Sequence, residues 1–259
     1  MADLAEELQR AGLVLDTSHD GAVATVTLNR PERRNAQTPG TWRGLARIGE
    51  ELAEEVRVVV LRGEGLSFSA GLDTRVFTPE GIPGEPPALP TGIGAAAFED
   101  LIGEYQQGFT WLREPRFTSI AAVHGHAIGA GFQLALSCDL RIVADDARFC
   151  MKEPALGLVP DLTGTKPLVD LIGLPKAIEI CLTARTVLAE EALALGIAQQ
   201  VVPGAELSAA VQSLIEALLP INAEAARATK ALLQQASRNT LAEQALAERK
   251  AQTQRILGE

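Results

Sequence analysis

The chain has 259 residues, with 33 acidic and 23 basic side chains and a formal charge of -10. Hydrophobic residues make up 47% and charged residues 22%, an ordinary globular balance, while aromatics at 4% leave the core to Ala, Leu, Val and Ile. So acidic a chain lacks the broad basic face that nucleic acid or an anionic membrane surface requires, although a few cations and backbone N–H groups can still converge on a compact anion.

Along the chain, AVATVTL at 22–28 is β-branched and alternating, which predicts a strand. LNRPERRNA follows as a turn with a basic cluster, and Trp42, Leu45, Ile48 and Leu52 then recur at helical spacing across 41–55. RVVVLRG at 57–63 is an apolar, glycine-terminated run that predicts a strand buried on both faces, and SFSAGLD at 67–73 is a small-residue turn. Residues 75–96 carry five prolines and four glycines and exclude regular structure, so a loop or lid is expected there. A helix resumes near Ala97 and runs to about Arg113; SIAAVHG at 119–125 predicts a strand, AIGAGFQLALSC at 127–138 a turn entering a buried helix, and DLRIVA at 139–144 another strand. From 161 the pattern is mainly helical, with a short strand at 198–202. Strands alternating with helices, then helices alone, predict an α/β core over 1–200 and a C-terminal helical region over 201–259 that covers the core or mediates subunit contacts.

Cys138, Cys150 and Cys181 are too sparse for a disulfide scaffold and include no CxxC pair, which points to a reducing compartment and away from a cysteine metal site. The N-terminal MADLAEELQR lacks the apolar region of a signal peptide. The apolar stretch 120–136 is interrupted by His124, His126 and Gln133 and falls short of the roughly 20 residues of a membrane span, so a cytoplasmic location is expected.

Two glycine-rich turns could carry chemistry: Ser69-Ala70-Gly71-Leu72-Asp73 and Gly125-His126-Ala127-Ile128-Gly129-Ala130-Gly131, each after a strand expected to be buried. Backbone N–H groups at such strand-to-helix turns are unpaired, and two pointing together form an oxyanion hole; singly, each is equally a tight turn where side chains do not fit. The second turn is not GxGxxG, which gives a dinucleotide site little support. His124 and His126 sit in apolar context, where packing or a backbone hydrogen bond is the expected role, and Asp139 at a strand start is expected to be structural.

Five blocks together resemble the crotonase (enoyl-CoA hydratase/isomerase) superfamily: VTLNRPERRNA at 26–36, VVVLRGEGLSFSAGLD at 58–73, VHGHAIGAGFQLALSCDLRIVADDARF at 123–149, KEPALGLVPDLTGT at 152–165 and LIGLPKAIEICLTART at 171–186. The resemblance implies a spiral of ββα units with C-terminal helices, assembled as a homotrimer or homohexamer. It implies an acyl-CoA thioester as substrate, with coenzyme A as part of that substrate and no separate cofactor. The N–H groups of Leu72 and Ala130 would form the oxyanion hole. Ala70, Gly71 and Asp73 would lie at the adenine, and Arg30, Arg33, Arg34 and Ala36 would meet the CoA phosphates and adenine, where an arginine fork suits phosphate.

The resemblance also frames the acid and base. Of the two glutamates of a typical hydratase in the family, one falls on Glu153 and the other on Gln133, an amide that can orient a group but cannot take up a proton near neutral pH. Asp161 follows Glu153 at the spacing of the glutamate and aspartate of dienoyl-CoA isomerases, a branch that usually carries an aspartate where Gln133 stands. Asp161 could equally be a helix N-cap, worth about 1 kcal/mol. The resemblance therefore implies double-bond isomerisation with Glu153 and Asp161 as catalytic residues and Gln133 positioning substrate or water. A single-glutamate hydratase, a non-catalytic acyl-CoA binder, and a hydrolase or decarboxylase on the same oxyanion hole stay open. The Pro/Gly-rich segment at 75–96 would shape the acyl pocket.

Overall fold

The computed structural model describes residues 2–78, 80–85 and 92–258. A helix α1 (Ala2–Arg10) leads into a hairpin of β1 (Leu13–Ser18) and β2 (Val23–Leu28), then α2 (Pro39–Glu51), β3 (Val58–Gly63), α3 (Ala95–Thr110) and β4 (Thr118–Val123). The chain continues through β5 (His126–Ile128), α4 (Ala130–Ser137), β6 (Leu140–Ala144), β7 (Arg148–Cys150), α5 (Thr165–Ile172), α6 (Leu174–Thr183), β8 (Val187–Leu188), α7 (Ala189–Ala194) and β9 (Gln200–Val202). Three helices close it: α8 (Leu207–Leu218), α9 (Ala223–Ala236) and α10 (Leu241–Leu257).

The strands fall into two sheets. The larger has the order β1-β2-β3-β4-β6-β9, parallel except for the β1–β2 hairpin, and the smaller is β5-β7-β8. After each of β4 and β6 the chain turns and adds its next strand to the small sheet, so successive units climb as a spiral before a helix returns.

The large sheet is buried on both faces by strict alternation. Val58, Val60, Ile120, Ala122 and Ile142 pack with Leu207, Val211 and Ile215 of α8. Val59, Leu61, Ala121, Val123 and Val143 face the opposite way, into a core shared with Leu45 and Ile48 of α2, Phe109 of α3 and Phe132 of α4. This is why β3 is apolar at every position of its buried run. The C-terminal segment thus completes one face of the sheet. Lys230 of α9 anchors that helix further, donating to the carbonyls of Glu114 and Phe117 (2.7 Å each) and to Asp139 (2.6 Å), which confirms Asp139 as structural.

Sequence patterning located β2, β3, β4, β6 and β9 and the major helices, but not α1, β1 or the small sheet. β1 has a single fully buried residue, Leu13, so it carries little hydrophobic signal, and β5, β7 and β8 are three residues or fewer. Of the Pro/Gly-rich stretch, residues 74–77 form one 3-10 turn and α3 begins at Ala95; its residues 79 and 86–91 lie outside the described residues. No described helix is long and apolar enough to cross a membrane.

Candidate active site

The first glycine-rich turn is fixed from below by buried polar groups. Arg34 and Asn35 adopt left-handed backbone (φ 51° and 54°), which curls the basic turn until the Arg34 carbonyl accepts from Ala70 N–H at 2.8 Å. The Asn35 side chain donates to the carbonyls of Glu64 and Ser67, 2.8 Å each. Gln37, fully buried, donates to Ser69 Oγ (3.0 Å) and accepts from the Trp42 indole (2.8 Å). Ser69 Oγ in turn accepts from Gly71 N–H (3.2 Å) and donates to the Asn35 carbonyl (2.8 Å), so its hydroxyl is saturated.

The second turn is locked onto the first. Ser69 N–H donates to the His126 carbonyl and Ile128 N–H returns to the Ser69 carbonyl, a parallel bridge between Ser69 and Ala127. Gly71 (φ +88°) lies so close that a Cβ there would stand 2.5 Å from Ile128 O and 3.6 Å from Ala130 N, and a Cβ on Gly131 would meet Ser69 O at 2.6 Å. Glycine is required at both positions, and at Gly71 the backbone sign requires it as well. Among the described residues the N–H groups of Leu72 and of Ala130, the first residue of α4, donate to no acceptor. Two free N–H donors on turns that touch are the kind of group an oxyanion hole is built from.

Against the second turn stands Glu153. It opens a 3-10 turn after β7, and its Oε1 lies 3.1 Å from where a Cβ on Gly129 would be. Oε1 accepts from Gln133 Nε2 at 2.7 Å, while Oε2 is buried without a partner among the described residues. Burial pushes the Glu153 carboxyl above its ordinary range, and the charge of Asp161 adds to the rise. Asp161 is exposed, yet the protein crowding it lifts its carboxyl too. Its carbonyl accepts from Gln106 of α3 (2.7 Å), which pins its segment against that helix. Two carboxyls held toward their protonated forms, with two free N–H donors nearby, suit proton transfer to and from carbon.

The enoyl-CoA hydratase/isomerase family profile matches residues 18–257. The chain belongs to that family. It is 35% identical to the mitochondrial Delta(3,5)-Delta(2,4)-dienoyl-CoA isomerase of Rattus norvegicus over 190 residues, 72% of this chain and 58% of that protein. It is 37% identical to a short-chain-enoyl-CoA hydratase of Clostridium acetobutylicum over 191 residues, 73% of this chain and 68% of that one. A Thermobifida fusca protein provisionally assigned as an enoyl-CoA hydratase and solved with acetoacetyl-CoA is 57% identical, covers 98% of both chains and superposes with a TM-score of 0.94. The fold is therefore the crotonase spiral that the sequence blocks implied.

Within that family fold, the expected site residues divide. Leu72 and Ala130 lie on the two interlocked turns, Glu153 stands against the second of them at Gly129, and the charge of Asp161 is felt at Glu153. The N-cap reading of Asp161 is corrected: α5 begins at Thr165 with Gly164 as its cap, too far along for the Asp161 side chain. Gln133 is fully buried, with its amide taken up by protein groups. Arg30 and Asp73 bind each other at 3.0 Å, and Arg30 also donates to the Ala36 carbonyl at 2.5 Å. Asp73, clamped chiefly by Arg75 and also by Arg30, is held down to about 2. Arg33 and Arg34 are the exposed members of the cluster. The His124 ring donates to Gly65 O (2.8 Å), and the His126 ring meets Ser67 Oγ (3.2 Å), the backbone and packing roles expected of them. Sequence reasoning missed Asn35, Gln37 and Arg75, and the anchoring role of the Ser69 hydroxyl, the polar groups that hold the first turn. The only available signal was an unusual run of small and amide residues beside the turn.

Proposed function

We propose that the protein isomerises the double bonds of an unsaturated acyl-CoA thioester by moving a proton between two carbons of the acyl chain. The observation that carries this reading is the placement of a buried, half-partnered Glu153 carboxyl over the turn that presents Ala130 N–H, with Asp161 near enough to raise it further. The thioester oxygen would sit between the N–H groups of Leu72 and Ala130. When a proton leaves the carbon next to the carbonyl, the electron pair moves into the conjugated system and onto that oxygen, where the two donors stabilise it by several kcal/mol. Glu153, beside the hole, takes that proton. Asp161, farther along the acyl chain, gives its own proton to the distal carbon as the electrons return; before the next turnover Glu153 releases the proton it took and the exposed Asp161 regains one from water, so no net proton is consumed.

CoA would enter along the basic turn. Arg33 and Arg34 are free to meet its phosphates, while Arg30, Asp73 and Ala36 shape the wall behind. Exposed Leu174, Ile178 and Leu182 on α6 fit the trimeric or hexameric assembly expected from the resemblance, which sedimentation equilibrium would test.

Likeness to the Clostridium acetobutylicum hydratase favours a second reading, hydration by Glu153 alone. Incubation with 3,5-dienoyl-CoA and, separately, with 2-enoyl-CoA decides between them. Migration of the dienoyl absorbance with little water addition is expected; water addition to the second with no shift of the first would overturn the isomerase reading. Tight binding of both esters without turnover would instead identify a non-catalytic binder.

A further inference from the structure

Gln133 makes more connections than a residue that merely contacts substrate. It lies three residues after Ala130 on α4, so the oxyanion donor and the Gln133 stem share one helix face. The side chain is fully buried. Its amide nitrogen donates to Glu153 Oε1 at 2.7 Å, and its amide oxygen accepts from the N–H groups of Leu162 (2.9 Å) and Gly164 (3.1 Å). Gly164 is pressed against the stem: a Cβ there would stand 2.5 Å from Gln133 Cγ. These partners allow one amide orientation only, because a flipped amide would set oxygen against carboxylate and nitrogen against two N–H donors.

Resting on the acid/base reading above, we infer that Gln133 is a positioning residue: a non-titrating crosslink that ties Oε1 of Glu153 to the segment carrying Asp161, leaving Oε2 as the oxygen that exchanges the proton. Three features require an amide. Only an amide donates to a carboxylate at one end while accepting from two backbone N–H groups at the other. Its charge is the same at every working pH, so Glu153 does not share its proton with a second acid at hydrogen-bond distance. And because Leu162 and Gly164 flank Thr163 immediately after Asp161, the crosslink fixes how far Asp161 stands from Glu153.

The groups around Glu153 that could confuse a titration are few. Asp161 faces it from the following loop, Lys152 precedes it, and Cys150 of β7 and Cys181 of α6 feel its charge. From α4, Gln133 donates to it.

The test follows Glu153 directly, through the carboxyl carbon resonance of labelled glutamate assigned with E153Q, alongside the pH profile of turnover. In Gln133→Met the stem volume is kept and the donated hydrogen bond is lost. The Glu153 titration is expected to move to higher pH, with kcat falling about tenfold or more and KM nearly unchanged, since the bond lost is one to a charged group. In Gln133→Glu the backbone donors keep an acceptor, so folding is spared if the methionine variant fails. Two carboxyls then share the site, and two coupled titrations are expected in place of one. An unmoved Glu153 titration in both variants would overturn the crosslink, as would a kcat loss with the pH profile in place. If the shifts occur in a protein that turns over neither enoyl nor dienoyl thioesters, the crosslink stands and the catalytic reading fails.

Discussion

Two carboxylates of the candidate site, Asp73 and Glu153, show how one functional group can be put in opposite environments. Asp73 receives charged donors from two sides, Arg75 Nη2 at 2.7 Å and Arg30 Nη2 at 3.0 Å, and is held down to about 2. Glu153 receives one neutral amide donor, keeps an oxygen without a partner and is pushed up by burial. The first is spent on construction and never titrates at working pH. The second is kept poorly solvated, which costs stability and makes it a ready acceptor and donor of protons. The difference lies in what surrounds each carboxyl.

The strongest way to break this contrast is to neutralise Glu153. Glu153→Gln is expected to lower turnover by about 10³-fold, within the range of general acid–base contributions. It should also leave the melting temperature at pH 7 unchanged or higher. The sign follows from linkage: a carboxyl raised in the folded state costs stability once ionised, fully so above its folded value, and the cost fades as pH falls toward its unfolded value. A fall in both activity and stability would remove Glu153 from the poised class. Gly71→Ala comes next. A Cβ 2.5 Å from Ile128 O, on a backbone of positive φ, should spread the oxyanion turns and lower kcat by about 10²-fold, the order seen when one oxyanion donor is lost. Asp161→Asn should lower isomerisation of a dienoyl thioester by about 10²-fold and spare any hydration of a 2-enoyl thioester. If both reactions fall equally, Asp161 is not the distal proton carrier.

Smaller effects belong to the region around Asp73. Asp73→Asn removes the charge that gathers Arg30 and Arg75 and should cost about 1–3 kcal/mol in denaturant unfolding with kcat nearly intact. Its pH signature is opposite to that of Glu153: a lowered carboxyl stabilises above the ordinary aspartate range, and that contribution is lost as pH falls from there toward about 2. Acid unfolding should therefore begin at higher pH in the Asp73→Asn variant. Smallest of all, Arg33→Ala with Arg34→Ala should raise KM for the CoA ester severalfold and leave kcat alone, the mark of uniform binding.

How much of this was legible in the sequence differs between the two regions. Glu153, Leu72 and Ala130 could be singled out as candidates because the blocks around them resemble a known family, and β3 could be read because burial on both faces leaves an uninterrupted apolar run. The supports could not. Gln37 and Ser69 meet through the fold, Arg30 reaches Asp73 across the intervening α2 and β3, and no local periodicity encodes such pairings. Gln133 was legible as an amide that cannot carry a proton and was expected to position substrate or water. Its connection to Leu162 and Gly164 depends on where the chain returns after β7, which spacing alone does not specify. Asp161 looked like a cap because the helix start was misplaced by a few residues, the usual weakness of boundaries drawn from pattern.

The parallel bridge between Ser69 and Ala127 has a kinetic consequence. The two turns that the bridge joins come from segments separated by the whole of α3 and β4, so they do not meet in a chain where only neighbouring elements have formed. Closing so long a loop costs entropy before any contact repays it, which places their meeting late on the folding path. If the proposed thioester turnover holds, its regain during refolding would lag behind recovery of helical signal and would serve as a clock for this long-range pairing.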